Sequence, residues 1–156
     1  MRIYLVRHGD AVPEEEAGSD RDRWLSPNGR EAARVLGRLL REQAVAPDMI
    51  LSSPLPRAVQ TAELLAQGLD YLGPVAALRC LEPAAQPRVA SSAILAAGAS
   101  VLVVSHEPAI STLGAFLLGI PAFPQFRTAQ CCAIENGKPT FTARADLVQI
   151  LALFVE

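Results

Sequence analysis

A histidine flanked by an arginine and a glycine stands near the start of the chain, where a buried strand is predicted to end. The strand covers residues 1–6, and Arg7, His8 and Gly9 follow it directly. Functional residues of α/β proteins gather at the carboxyl ends of the strands. A guanidinium offers forked donors to a phosphoryl group, a neutral imidazole offers a nucleophilic nitrogen, and glycine lets the backbone pass close to an anion. Taken alone, the tripeptide also fits a structural histidine that is hydrogen-bonded at a strand end.

The chain has one other histidine, and it occupies a position of the same kind. An apolar run over residues 101–105 predicts a buried strand, and His106 follows it directly. Pro108 then falls in the predicted first turn of a helix, where proline is tolerated. The free N–H groups at the start of that helix favour an anion near His106.

Arg57 is the third candidate. A short strand is predicted over residues 49–51, and the apolar spacing of the next segment predicts a helix with Arg57 near its first turn. A single arginine is usually a solvated surface residue. Three strand ends that carry Arg-His, Arg and His favour one shared anion site at one edge of a sheet.

Alternating strands and helices are predicted around these positions. Ser26 can cap a helix that has Pro27 at its first position. The other predicted elements are a strand at 75–78, a helix at 89–97, a hairpin of strands 130–134 and 140–145 around Asn136-Gly137, and a run at 147–155 that fits either strand or helix. This order predicts one α/β domain over residues 1–156, a three-layer α/β/α sandwich around a mixed, mostly parallel sheet.

Composition narrows the function classes. The formal charge of −2 and the isoelectric point near 5.7 argue against a general nucleic-acid binder. No apolar run approaches the ~20 residues of a membrane span, and the chain opens directly on a strand, so we expect a cytoplasmic protein. The three cysteines lack zinc-binding or redox spacing and are expected to be reduced thiols. Two histidines without matching carboxylates make a poor transition-metal site, so no metal and no cofactor are expected.

These motifs together resemble the histidine phosphatase superfamily, whose fold is called phosphoglycerate mutase-like. Its signature is Arg-His-Gly after the first strand, Ser-x-x-x-Arg-Ala-x-Gln-Thr-Ala after the second, and a late strand that ends in His. The chain has all three in that order, at 7–9, 53–62 and 105–106. Within the superfamily it is most similar to the small bacterial phosphohistidine phosphatases.

The resemblance implies a role for each candidate. His8 is the nucleophile and forms a phosphohistidine intermediate that water hydrolyses. Arg7, Gly9, Arg57 and His106 bind the phosphoryl group, with the two arginines as a clamp and His106 as a donor to one oxygen. Phosphoryl transfer depends mainly on such positioning and charge stabilisation, and these cations supply the charge that magnesium provides elsewhere.

The general acid is the open question. Larger relatives that cleave phosphate esters use a Glu or Asp from the segment between the second and last motifs. Glu82 is the nearest positional match, although a loop carboxylate is usually only solvated. Asp10 lies closer to His8 in sequence and is expected to orient the loop rather than to transfer a proton. A phosphoramidate such as phosphohistidine suits a site without a strong acid, because its leaving nitrogen departs more readily than an alkoxide.

The segment between Arg57 and His106 is too short for a large cap, so the site is expected to admit a side chain on a folded protein. A phosphohistidine-containing protein is therefore the expected substrate. The acidic loop at residues 12–20 could select such a partner by charge or be a solvated, flexible loop. Two alternatives stay open: a small-molecule phosphatase for sugar or nucleotide-precursor phosphates, and a catalytically silent module that binds phosphohistidine proteins.

Overall fold

The computed structural model describes residues 1–150, with the backbone alone at 149 and 150. Its strands are β1 (Arg2–Arg7), β2 (Met49–Ser52), β3 (Val75–Ala77), β4 (Ser100–Ser105), β5 (Cys131–Glu135), β6 (Lys138–Arg144) and β7 (Leu147–Ile150). Its helices are α1 (Glu14–Ala17), α2 (Pro27–Glu42), α3 (Pro56–Gly68), α4 (Pro87–Ala97) and α5 (Ala109–Leu118), with a 3₁₀ turn at Arg79–Leu81. The predicted alternation of strands and helices is confirmed.

All these strands form one mixed sheet in the order β3-β2-β4-β1-β5-β6-β7. The β3, β2, β4 and β1 strands are parallel neighbours, and the hairpin strands extend the sheet by antiparallel pairing. Because β1 and β4 lie side by side in the same direction, their carboxyl ends meet at one edge. The order also places the end of β2 beside the end of β4.

Helices cover both faces of the sheet, which confirms the three-layer sandwich. On one face α2 and α3 pack on Tyr4 and Val6 of β1. On the other face α4 and α5 pack on Ile3 and Leu5 of the same strand. The alternate side chains of a strand point to opposite faces, so a central strand that is buried on both sides reads as a continuous apolar run.

Local signals account for several boundaries. The Ser26 hydroxyl accepts a hydrogen bond from the Gly29 N–H at 3.0 Å, as expected of a helix cap. Asn136 and Gly137 both have positive φ, at 50° and 75°, which is the backbone of a tight hairpin turn. β7 resolves the ambiguous run at 147–155 as strand through residue 150, and the remaining residues of that run lie outside the described part of the chain.

Pro108 lies at the start of α5, as expected: it has helical dihedrals within the turn closed by the Ile110 N–H and the His106 carbonyl at 2.7 Å, and its own carbonyl accepts from the Thr112 N–H at 3.1 Å. One expectation about local structure needs correction. The acidic segment at 12–20 is not a solvated loop throughout. It contains the single turn α1, and its last residue, Asp20, is tied to Arg57.

Candidate active site

The two histidines lie side by side at the carboxyl edge of the sheet. His8 follows β1 and His106 follows β4, and the strands pair so that Arg7 faces Ser105. Their ring centroids are 4.9 Å apart, and both residues are buried, with 7% of His8 and 1% of His106 exposed. The juxtaposition that parallel strand ends predict is therefore present.

His8 is held neutral, with its basic nitrogen identified by one contact. Its Nδ1 atom lies 2.7 Å from the carbonyl oxygen of Gly9. Since a carbonyl only accepts, Nδ1 carries the proton and Nε2 carries the lone pair. Burial lowers the pKa of His8 to about 4, and the charges of Arg57 and Arg7 act in the same direction. At neutral pH the ring can attack an electrophile through Nε2.

His106 is also neutral. Burial lowers its pKa to about 2, with further lowering from His8 and the two arginines. Its Nε2 atom lies 2.7 Å from the hydroxyl oxygen of Ser53. Its Nδ1 atom is buried and has no hydrogen-bond partner among the described residues.

Arg57 is the second residue of α3 and is only 4% exposed. Its Nη1 donates to the backbone oxygen of Asp20 at 2.7 Å, and its Nη2 donates to the Asp20 carboxylate at 3.4 Å. Burial lowers the pKa of Arg57, and Asp20 opposes that effect. The Nε atom is buried and, within residues 1–150, unpartnered.

Arg7 repeats this pattern. Its Nη1 donates to the carbonyl oxygen of Phe126 at 2.8 Å, which aims the guanidinium, while its buried Nε finds no acceptor in the described chain. Glu107 holds Phe126 in place, because the Glu107 carboxylate accepts from the Phe126 N–H at 2.9 Å and from the Ser111 hydroxyl at 2.7 Å. Sequence reasoning missed this support.

The buried side-chain nitrogens without a partner all belong to the candidate site. They are Arg7 Nε, Arg57 Nε and His106 Nδ1, the only buried side-chain nitrogens or oxygens without a partner among the described residues. Both arginine charges lower the pKa of both histidines, so all four side chains share one electrostatic environment. A buried donor without an acceptor costs about 1–3 kcal/mol. An anion accepting from several of them would remove that cost.

Gly9 has a partner for its N–H and packs closely against α2. Its N–H donates to the Thr61 hydroxyl at 3.0 Å and so is not free for an anion. A Cβ on Gly9 would stand 2.8 Å from the carbonyl oxygen of Gly29 in the first turn of α2. The glycine is therefore required because the loop that follows β1 packs closely against α2. Thr61 in turn donates to the Arg57 carbonyl at 2.7 Å, which links the loop to α3.

The two candidate carboxylates are both engaged. The Asp10 carboxylate accepts from the Ser26 hydroxyl at 2.6 Å, and the Asp10 carbonyl accepts from the Ser26 N–H at 3.0 Å, so the loop is tied to the start of α2. Glu82 forms a two-point ion pair with Arg21, at 3.1 and 3.3 Å. That hydrogen bonding lowers the pKa of Glu82. An ionised, paired carboxylate is a poor proton donor.

Three polar residues of the site had no role assigned from the sequence. Ser53 follows the end of β2 and Thr61 lies inside α3; both are fully buried, and both belong to the Ser-x-x-x-Arg-Ala-x-Gln-Thr-Ala segment, which could have marked them. Asp20 gave no such signal, since it lies in an acidic, Gly-containing stretch that is typical of surface loops.

Two kinds of feature are absent from the part of the chain that the structure describes. None of the helices within residues 1–150 is long and apolar enough to cross a bilayer. Over the same residues there is no group of three or more His, Cys, Asp or Glu side chains placed to hold a metal ion.

Comparison with known proteins shows the family to which the chain belongs. The sequence model of the histidine phosphatase superfamily (branch 1) matches residues 3–82. Phosphohistidine phosphatase SixA of Escherichia coli (strain K12) is 33% identical over 148 residues, which are 90% of this chain and 91% of that protein.

Solved structures extend the match to three dimensions. The structure of the protein histidine phosphatase SixA complexed with tungstate has a TM-score of 0.84 and 30% identity, and the superposition covers 94% of this chain and 98% of that one. The α-ribazole phosphatase from Shigella flexneri has a TM-score of 0.69 and covers 100% of both chains, but at 21% identity it shows the shared fold alone.

Proposed function

Because the chain belongs to the histidine phosphatase superfamily (branch 1), we propose that it is a metal-independent phosphatase that removes phosphate from phosphohistidine on a protein, with His8 as the nucleophile. The observation that carries the proposal is the set of buried, unpartnered nitrogens, Arg7 Nε, Arg57 Nε and His106 Nδ1, around a neutral His8. Two guanidinium N–H groups without acceptors, a ring nitrogen of His106 without a partner and the lone pair of His8 are complementary to a phosphoryl group at the moment of transfer.

In the first step the Nε2 lone pair of His8 attacks phosphorus. A P–N bond forms to His8 and the P–N bond to the substrate imidazole breaks. When the other nitrogen of the substrate ring carries a proton, that ring leaves as neutral imidazole and needs no proton at its leaving nitrogen. Arg7, Arg57 and His106 stabilise the charge on the transferring oxygens.

In the second step His8 is the leaving group. Water attacks the phosphorus, the P–N bond to His8 breaks, and dihydrogen phosphate forms and loses a proton to solvent. His8 leaves as neutral imidazole, because its Nδ1 keeps its proton, hydrogen-bonded to the Gly9 carbonyl, throughout. Neither step requires a strong general acid, and the arginines supply the positive charge.

The state of Glu82 favours phosphohistidine over a phosphate ester. An alkoxide leaving group needs a proton, and general acid catalysis typically contributes ~10²–10⁴-fold where it is needed. Glu82 is paired with Arg21, and this hydrogen bonding lowers its pKa, which disfavours the protonated form that a general acid needs. The similarity to a relative named phosphohistidine phosphatase supports the same substrate class.

A substrate panel tests this function. The purified protein would be assayed without added metal on a phosphohistidine protein, on phosphoramidate and on phosphate esters of sugars, nucleotide precursors and p-nitrophenol. We expect the highest kcat/KM on the phosphohistidine protein, unchanged by excess chelator, and none for His8→Ala. Preference for an ester would instead support the small-molecule phosphatase. Tight binding without turnover of any substrate would identify a binding module.

A further inference from the structure

Ser53 is a buried residue between the end of β2 and the end of β4, and its hydroxyl contacts His106. It follows β2 directly, and its N–H donates to the carbonyl of Val104 in the neighbouring β4 at 2.9 Å. This backbone hydrogen bond places Ser53 beside the end of β4, and His106 is the residue that follows that strand. The residue is 0% exposed, so its hydroxyl must find its partners within the protein.

The partners of the hydroxyl determine where its proton goes. The Ser53 oxygen accepts from the Leu55 N–H at 3.3 Å. The atom at 2.7 Å is Nε2 of His106, and within the described chain it is the only acceptor for the Ser53 proton. If Ser53 donates to Nε2, that nitrogen bears a lone pair, and the neutral ring must carry its proton on Nδ1.

The opposite arrangement is unfavourable in two ways. With the proton on Nε2, His106 would donate to Ser53 and leave the serine proton without an acceptor in a buried site. The Nδ1 lone pair would then face the oxygens of a bound phosphoryl group, which repel it. Nδ1 is the ring nitrogen without a partner among the described residues, so it is the one available to the anion.

We propose that Ser53 is a positioning residue, whose hydroxyl fixes His106 in the Nδ1–H tautomer so that the ring presents a permanent donor to the phosphoryl group. The inference rests on the proposed function for its catalytic consequence, while the tautomer itself does not depend on which substrate is used. Hydrogen bonds behind a functional ring typically contribute 10–100-fold to a site, as shown for histidines that bind metals.

Nuclear magnetic resonance reads the tautomer directly. The chain has two histidines, so long-range ¹H–¹⁵N spectra of histidine-labelled protein at neutral pH give two ring patterns, which His8→Gln assigns. We expect His106 to show a protonated Nδ1 and a lone pair on Nε2. In Ser53→Ala this pattern should shift toward protonated Nε2 or a mixture of tautomers, whereas Ser53→Thr, which keeps the hydroxyl, should retain it.

Ser52→Ala is the matched control. Ser52 is equally buried and stands next to Ser53, but its hydroxyl donates to the Ser53 carbonyl at 2.8 Å and contacts neither histidine. Loss of a buried serine hydroxyl is thus common to both variants, and only one of them loses the contact with His106. Thermal unfolding of both proteins verifies that each is folded before the spectra and rates are compared.

A double-mutant cycle separates positioning from general destabilisation. Ser53→Ala should lower kcat/KM roughly 10- to 100-fold, and vanadate should bind more weakly. In a His106→Ala background the same substitution should have no further effect, because Ser53 acts through that ring. The inference is overturned if folded Ser53→Ala keeps the wild-type tautomer, or if it slows the His106→Ala protein as much as the wild type. A protein inactive on every phosphohistidine substrate would refute the proposed function, yet the tautomer measurement would still decide the role of Ser53.

Discussion

Acidification should destabilise the folded protein through His8, and a non-titrating variant isolates the effect. In the folded state the pKa of His8 is lowered from 6.5 to about 4 by burial. Between pH 6.5 and about pH 4, His8 is protonated in the unfolded chain and mostly neutral in the folded chain. The free energy of unfolding therefore decreases as the pH is lowered through this range. Below pH 4 both states are protonated and the loss is complete.

The size of the effect follows from that difference. Over the whole window the His8 contribution amounts to ~3 kcal/mol, and by pH 5 about 2 kcal/mol of it is already lost. That loss corresponds to roughly 4–8 °C in Tm for a domain of this size. It is a large share of the ~5–15 kcal/mol that stabilises a typical native protein.

The assay compares urea unfolding of the wild type and His8→Gln at pH 7.5 and pH 5. Glutamine does not titrate, so its protein should lose ~2 kcal/mol less over this interval. Both proteins also lose stability through His106, whose pKa is lowered to about 2, and through the paired carboxylates. These losses largely cancel when the two proteins are compared. If the two proteins lose stability in parallel, His8 is not held neutral by its site, and the nucleophile assignment loses its physical basis.

Substitutions at three residues test other parts of the site. Arg57→Ala should lower kcat/KM by ~10²–10³-fold, and Arg57→Lys should restore little of it, because the ammonium lacks the forked donors. Glu82→Gln should lower phosphohistidine hydrolysis by less than roughly tenfold, and a steep loss confined to efficient ester cleavage would reverse the substrate assignment. Thr61→Val removes the hydroxyl that joins Gly9 to Arg57 at nearly constant volume, so we expect a lower kcat that Thr61→Ser restores; equal rates in both variants would mean that this link does not position the site.

The sequence predicts the parts of the site that depend on strand ends. Residues that follow parallel strands emerge at the same edge of a sheet, so the strand pattern predicts that His8 and His106 share an edge, and the pairing of β1 with β4 brings them together. The helix cap at Ser26 and the turn at Asn136-Gly137 are equally local signals. The resemblance to a family then assigned roles that spacing alone left open.

The remaining contacts depend on long-range packing, which no local pattern encodes. Asp20 reaches Arg57 because the segment after α1 folds back over the start of α3. Gly9 serves the packing of its loop on Gly29, a contact between segments 20 residues apart in the numbering. The role of Ser53 follows from its nearest acceptor, His106, which lies on a different strand end. In each case the residue type permits many roles, and the partner selects one.

The covalent intermediate is the most direct test of the account. During turnover of a phosphohistidine protein or phosphoramidate, rapid quenching in base followed by mass spectrometry should find one phosphoryl group on His8, stable in base and labile in acid. The adduct should be absent from His8→Gln and should form more slowly in Arg57→Ala. Turnover without a phosphorylated His8, or an acid-stable adduct on another residue, would contradict the central claim that His8 is the nucleophile.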